Sequence, residues 1–182
     1  MAELLTKKEQ ARLLKIARET IIAHTNKTPP PLVEPVFSGL ENKNGCFVTI
    51  KQQGRLRGCI GNFVSDKPLY QLVQEMAICA AARDPRFHPM KSSDLDDFEL
   101  EISVLSPLEL IASVDSVTVG IHGLYIVKNN NRGVLLPQVA VEYGWDRDAF
   151  LRHTCLKAGL PEDAWTKDCE IYTFTALVFS ET

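Results

Sequence analysis

Apolar residues at Ala11, Leu13, Leu14, Ile16, Ala17, Ile21 and Ile22 recur at the spacing of one helical face. Thr6 with Glu9 has the spacing of a capping box, so the pattern predicts a helix from about Lys7 to His24. Thr28, Pro29, Pro30, Pro31 and Pro35 then enforce an extended connector, because proline fixes φ and removes an amide donor. It reads as a segment wrapped around the fold and not as a flexible linker.

Period-2 alternation takes over at Cys46. Cys46 to Lys51 and Arg55 to Phe63 read as a hairpin across Gln52-Gln53-Gly54, a three-residue loop with a glycine suited to a left-handed bulge. That loop sets Lys51 opposite Arg55, Ile50 opposite Leu56, Val48 opposite Gly58 and Cys46 opposite Ile60. The aliphatic residues then share one face, while Phe47, Thr49, Arg57 and Cys59 occupy the other, so Cys46 and Cys59 point apart.

Ser65 or Asp66 is the expected cap of a second helix, with Pro68 in its first turn and a stripe of Leu69, Leu72, Val73, Met76, Cys79 and Ala80. Arg83-Asp84-Pro85-Arg86-Phe87-His88-Pro89 stops that helix. Phe98, Leu100, Ile102 and Val104 alternate as a half-buried strand. A second hairpin joins Leu124–Val127 to Val134–Leu136 across residues 129–133. Asp146 caps a last helix with Trp145 and Phe150 at staple positions, and Gly159-Leu160-Pro161 ends it at Ala158. Ile171 to Phe179 reads as one final strand. The order predicts an α+β fold with a largely antiparallel sheet flanked by helices.

Composition narrows the function classes. The chain has 182 residues, 45% hydrophobic and 24% charged, with 20 basic against 23 acidic residues and a formal charge of -3. This balance argues against a dedicated nucleic-acid binder, although Lys51, Arg55 and Arg57 form a small basic strip. Gly58-Cys59-Ile60-Gly61 also matches the Gly-x-x-Gly loop of KH modules, but here it falls in a strand. No apolar run reaches the ~18 residues of a membrane span, and a cytoplasmic location is expected. The cysteines at 46, 59, 79, 155 and 169 lack any Cys-x-x-Cys pair, which fits reduced thiols and neither a disulfide framework nor a zinc ribbon.

Candidate chemistry centres on Leu56-Arg57-Gly58-Cys59-Ile60-Gly61. Arg57 can favour the Cys59 thiolate or hold an anion, and Gly58 and Gly61 permit close approach. The plainer alternatives are a packed cysteine and an Arg57 ion pair with Glu99 or Glu101. Arg83, Asp84 and Arg86 offer a charged loop for a ligand, or a capped turn with solvated arginines. Among the histidines, His24 suits a helix end, while His88 and His122 stand as candidate bases beside Glu101 and Tyr143. No metal-ligand cluster or cofactor fingerprint is present, so the cofactor is left open.

Several segments together resemble the AMMECR-type domain family: Leu56–Gly61, Ala82–Phe87, Leu136–Ala140, Gly144–Asp146, Thr154–Pro161 and Asp163–Trp165. Prokaryotic members are called AmmeMemoRadiSam system protein A. The resemblance spans nearly the whole chain as a single domain of residues 1–182, and implies two closely packed, unequal lobes with a cleft. It implies a functional site at Arg-Gly-Cys, and together with the residue reading above this makes Cys59 and Arg57 the candidate catalytic residues and Phe47, Gly58, Gly61, Arg83, Asp84 and Arg86 the candidate binding residues. A Memo-like protein and a radical S-adenosylmethionine protein are the implied partners, acting on a small molecule or modified residue; a non-enzymatic adaptor is the alternative. His88 stands where members often carry proline.

Overall fold

The computed structural model describes residues 4–181. Helix α1 (Lys7–Thr25) begins as its capping box requires. The Thr6 hydroxyl accepts from the Glu9 amide at 3.4 Å, and the Glu9 carboxylate accepts from the Thr6 amide at 2.8 Å. Leu13, Leu14, Ile16, Ala17 and Ile21 are buried as expected, whereas Ala11 and Ile22 face outward at the edges of the stripe. Beyond α1 the proline segment runs extended, and the Pro31 carbonyl accepts from the Gln74 side chain at 3.0 Å.

Strands β1 (Cys46–Gln52) and β2 (Arg55–Asn62) form the first hairpin, with a register that corrects the expected one. The connection is the two residues Gln53 and Gly54, with φ of 51° and 72°, and not the three-residue loop. A turn with both central residues at positive φ matches strand twist, which explains its preference over a type I turn. Gln52 therefore faces Arg55, and Lys51 faces Leu56. Next the register shifts at Ile50/Lys51, leaving Arg57 without an opposing residue, so Ile50 faces Gly58, Thr49 faces Cys59 and Val48 faces Ile60. The turn and the bulge together displace the outer pairs by two positions, and a shift of two preserves the faces. Cys46 and Cys59 do lie on opposite faces. Leu56, expected inside against Ile50, is instead 43% exposed.

Helix α2 (Leu69–Ala82) starts at Pro68 with no side-chain cap, and Ser65 accepts from the Lys67 amide in the preceding turn, so neither expected capping residue caps it. Strand β3 (Glu99–Leu105) pairs antiparallel with β1. There follow β4 (Glu109–Leu110), β5 (Gly123–Lys128) and β6 (Asn131–Leu135). Residues 129–133 are not all loop. Asn129, at φ 55°, and Asn130 make the turn, and Gly133 lies within β6, where a Cβ would sit 2.5 Å from the Thr154 carbonyl oxygen. This glycine marks a close helix approach.

Helix α3 (Pro137–Glu142) precedes α4 (Arg147–Lys157), capped by Asp146 and followed by Gly159 at φ 71°. The expected final strand is two strands, β7 (Glu170–Phe174) and β8 (Ala176–Ser180), which join different sheets. Thr175 separates them, its amide donating to the Ser106 hydroxyl at 2.9 Å and its carbonyl accepting from the Ser106 amide at 2.9 Å. No local turn residue announces that break.

The result is an α+β fold with two four-stranded antiparallel sheets, ordered β2-β1-β3-β8 and β4-β7-β5-β6. Contacts divide the chain into Met1–Leu105 with Leu177–Thr182, and Ser106–Ala176. In the first unit α1 and α2 cover the aliphatic sheet face, burying Cys46, Val48, Ile50, Leu100, Ile102 and Val104. In the second, α4 packs on β5 and β6 over Leu124, Ile126, Phe150, Leu151 and Cys155. None of the described helices is long and apolar enough to cross a membrane.

Strand β2 meets α2 at Gly58, where a Cβ would lie 2.1 Å from the Ala80 carbonyl oxygen. Gly58→Ala should therefore cost about 2 kcal/mol or more, since a backbone atom cannot move aside as a side chain can. Urea denaturation checks it: an unchanged midpoint would mean that strand and helix separate freely.

Candidate functional site

The site grows from the edge of the first sheet. β2 is the outermost strand, and because Cys59 directly opposes Thr49 its two backbone groups point either into the ladder or out to the edge. They point outward and are met by side chains. The Asp84 carboxylate accepts from the Cys59 amide at 2.9 Å, and Arg86 Nη2 donates to the Cys59 carbonyl at 3.3 Å. A carboxylate and a guanidinium thus occupy the place of a neighbouring strand.

Asp84 is the hub of this arrangement. It is 4% exposed and also accepts from the Arg86 amide at 3.1 Å, Arg86 Nε at 3.0 Å and Arg86 Nη2 at 2.7 Å. The Arg86 guanidinium first, and then the Cys59 and Arg86 amides, hold its carboxyl well below the usual carboxylate range against the opposing effect of burial. Arg86 is shifted upward, chiefly by Asp84, with a smaller contribution from Cys59. Asp84 is thus more than a local cap before proline. Arg83 caps the end of α2 with its backbone and leaves its side chain exposed.

The other side of the hairpin carries the thiol. Opposed residues of this kind of pair bring their side chains close, and the Thr49 hydroxyl donates to Cys59 Sγ at 3.2 Å. Cys59 is half-buried. The bulge at Arg57 re-aims that side chain, which is 17% exposed and reaches Asp94 with Nη2 at 3.4 Å. Its other terminal nitrogen, Nη1, is buried with no hydrogen-bond partner. The alternative pairing with Glu99 or Glu101 is not formed, and Glu101 instead takes Lys51 at 2.8 Å.

Arg57, Pro85, Arg86, Phe87 and His88 line a hollow of about 360 Å³. A larger hollow, about 1020 Å³, runs along α1 and β8, but its lining contains none of the candidate residues. Size alone therefore does not select the site. Phe47 meets Phe63 edge-on at 4.9 Å, and a Cβ on Gly61 would lie 2.4 Å from the Phe47 ring. The space beside Gly58 and Gly61 is accordingly filled by Ala80 and Phe47, and these glycines serve packing where open approach was expected. His122 accepts from the Thr118 amide through Nδ1 at 3.1 Å, and His153 stacks on Trp145 at 3.8 Å. Asp94 completes the site unannounced, while Thr49, expected on the Cys59 face, turns out to be its direct partner. Asp94 is 37 residues from Arg57, and Thr49 becomes the partner of Cys59 only once turn and bulge are known.

These contacts restrict the chemistry. An acyl-transfer thiol draws on free amides for its oxyanion, yet the Cys59 amide is committed to Asp84. Hydrogen-bond donation from Thr49 to sulfur stabilises a thiolate without removing a proton from a thiol. Among the described residues no three of His, Cys, Asp or Glu converge as a metal ion would need. Electrostatically, the distinctive element is the under-satisfied Arg57 beside Arg86 and His88.

A family profile described as AMMECR1 matches residues 14–179. A Methanopyrus kandleri protein, protein MK0488, is 42% identical over 191 residues, covering 100% of this chain and 92% of its own. A Methanothermobacter thermautotrophicus protein is 43% identical, with coverage of 97% and 96%. The crystal structure of the uncharacterized protein PH0010 from Pyrococcus horikoshii superposes with a TM-score of 0.83 at 37% identity, covering 98% of this chain and 94% of that one.

The hub yields a pH prediction. Because the Asp84 pKa is lowered by folding, its stabilisation is complete above the unfolded value of about 3.9 and fades as pH falls through the folded value. Asp84→Asn should cost about 2 kcal/mol at pH 7, and the gap from wild type should shrink below about pH 4. Urea titrations at several pH values check this, and a pH-independent gap would contradict it.

Proposed function

The chain belongs to the AMMECR1 family, and we propose that it works as an anion-binding thiol protein, with Arg57 holding a small anionic ligand or modified residue and Cys59 supplying the sulfur. The carrying observation is Arg57 Nη1, buried and unpartnered on a side chain that lines the hollow shared with Arg86 and His88. An unmatched guanidinium donor is costly to bury, and an anion removes that cost. Thr49 steadies the sulfur, while Asp84 and Arg86 fix the strand that carries it.

In this reading the protein acts in the cytoplasm, where reducing conditions keep its thiols free. Its partners are a Memo-like protein and a radical S-adenosylmethionine protein, as the family resemblance implies. A second reading, a non-enzymatic adaptor, is favoured by the packing duties of Gly58 and Gly61, which make two of the motif's six positions architectural. In that case Cys59→Ser leaves partner binding intact and no turnover is lost.

Alkylation by two reagents tests the preferred reading. Iodoacetate and iodoacetamide both place a carboxymethyl-type carbon on the thiolate with loss of iodide, but only iodoacetate is an anion. The ratio of their rates at Cys59 cancels thiolate fraction and exposure. It should exceed the ratio for free N-acetylcysteine several-fold and fall to that ratio in Arg57→Gln; an equal or lower ratio in wild type defeats the proposal. In the same digest Cys46, whose pKa burial pushes up to about 12, and Cys155, shifted upward chiefly by burial, should remain unmodified.

A further inference from the structure

Resting on the anion-site reading, we propose that the occupant of the Arg57 hollow is a monoanionic carboxylate carried on a small apolar or aromatic body. The charge balance points this way. Arg57 is paired with Asp94 and Arg86 with Asp84, so each guanidinium already faces one carboxylate. The Arg57 Nη1 donor, the outer Nη1 of Arg86 and the exposed His88 are what remain for a ligand. With both guanidinium charges already balanced, a singly charged carboxylate brings one uncompensated charge into the hollow and a phosphate dianion brings two, so the monoanion is the less costly occupant.

The shape of the donors agrees. A planar guanidinium with Nη2 already held by Asp94 leaves the buried Nη1 as the one terminal nitrogen still to be matched, which a single carboxylate oxygen would do. Arg86 commits Nε and Nη2 to Asp84 and Cys59 and is thereby fixed in orientation. The rest of the wall is apolar. Pro85 and the half-buried Phe87 line the hollow, and the Arg86 guanidinium stands 5.5 Å from the Phe87 ring centre. A ring or short apolar body resting there would bury its surface while its carboxylate met Arg57. At about 360 Å³ the hollow lies near the lower end of the range for small-molecule sites, which favours a compact ligand.

Calorimetric titration of the full chain with benzoate, benzamide, acetate and inorganic phosphate at pH 7, in a buffer free of other carboxylates and phosphate, decides it. Benzoate should bind about tenfold or more tightly than either acetate or benzamide. Phe87→Ala should bring benzoate down to the level of acetate, and Arg57→Gln should abolish the preference for benzoate over benzamide. If phosphate binds more tightly than benzoate, the carboxylate assignment is overturned and the anion-site reading survives. If neither anion binds, both fall, and equal binding of benzoate and benzamide overturns charge recognition. Should Arg57→Gln fail to fold, backbone amide shifts in wild type replace it: benzoate must perturb residues 85–88, and perturbation confined elsewhere overturns the assignment.

Discussion

Everything distinctive about the first sheet's edge depends on one buried carboxylate. Asp84 accepts from the outward amide of Cys59 and from Arg86, and Arg86 in turn donates to the outward carbonyl of Cys59. An unprotected edge strand exposes such groups to any passing chain, so this clamp is a form of edge protection as well as a site scaffold. It also joins two segments 25 residues apart. The prolines that stop α2 bring Asp84 to β2, and the bound loop then brings Arg86, Phe87 and His88 beside Arg57. The hollow is a consequence of the clamp.

Much of this was legible in the sequence, for physical reasons that can be named. Local signals worked where the cause was local: the Thr6–Glu9 box, the Asp146 cap and the glycine stop after Ala158 all form as read. Face assignment in the first hairpin survived an incorrect register, because turn and bulge each contributed one position and their sum left parity unchanged. Near the turn, where only one of the two displacements had acted, Leu56 came out on the wrong face. Long-range causes were invisible. Nothing near Thr175 announces that Ser106 will interrupt the final strand there, and nothing near Arg57 points to Asp94. Gly133 was misassigned for a related reason, since a glycine required by a distant helix looks, in sequence, like a glycine required by a turn.

The same distinction governs how the Arg-Gly-Cys segment is interpreted. Gly58 is demanded by the Ala80 carbonyl, Gly61 by the Phe47 ring and the Cys46 carbonyl, and Ile60 packs against the core. Leu56 sits exposed beside the turn. Gly58, Gly61 and Ile60 are accounted for by architecture alone, so their presence carries no information about chemistry. What packing does not demand is a guanidinium at the bulge with one nitrogen unmatched, and a sulfur receiving a hydrogen bond from Thr49. A hydrophobic residue at either place would fill the same volume with less desolvation.

That asymmetry bears on the order in which the groups act. Arg57 is buried enough for its charge to be felt over several ångströms, yet its one carboxylate partner lies at 3.4 Å, a loose contact beside the 2.7 Å pair of Asp84 and Arg86. The tighter pair is therefore the fixed element of the site and the looser pair the adaptable one. An anion at the proposed site would engage Arg57 without dismantling the Asp84 clamp, which would leave strand β2 and the sulfur it carries in place. In the proposed anion site, recognition would fall to Arg57 and scaffolding to Arg86, and that division would keep a half-buried thiol on a sheet edge ordered whether or not a ligand is bound.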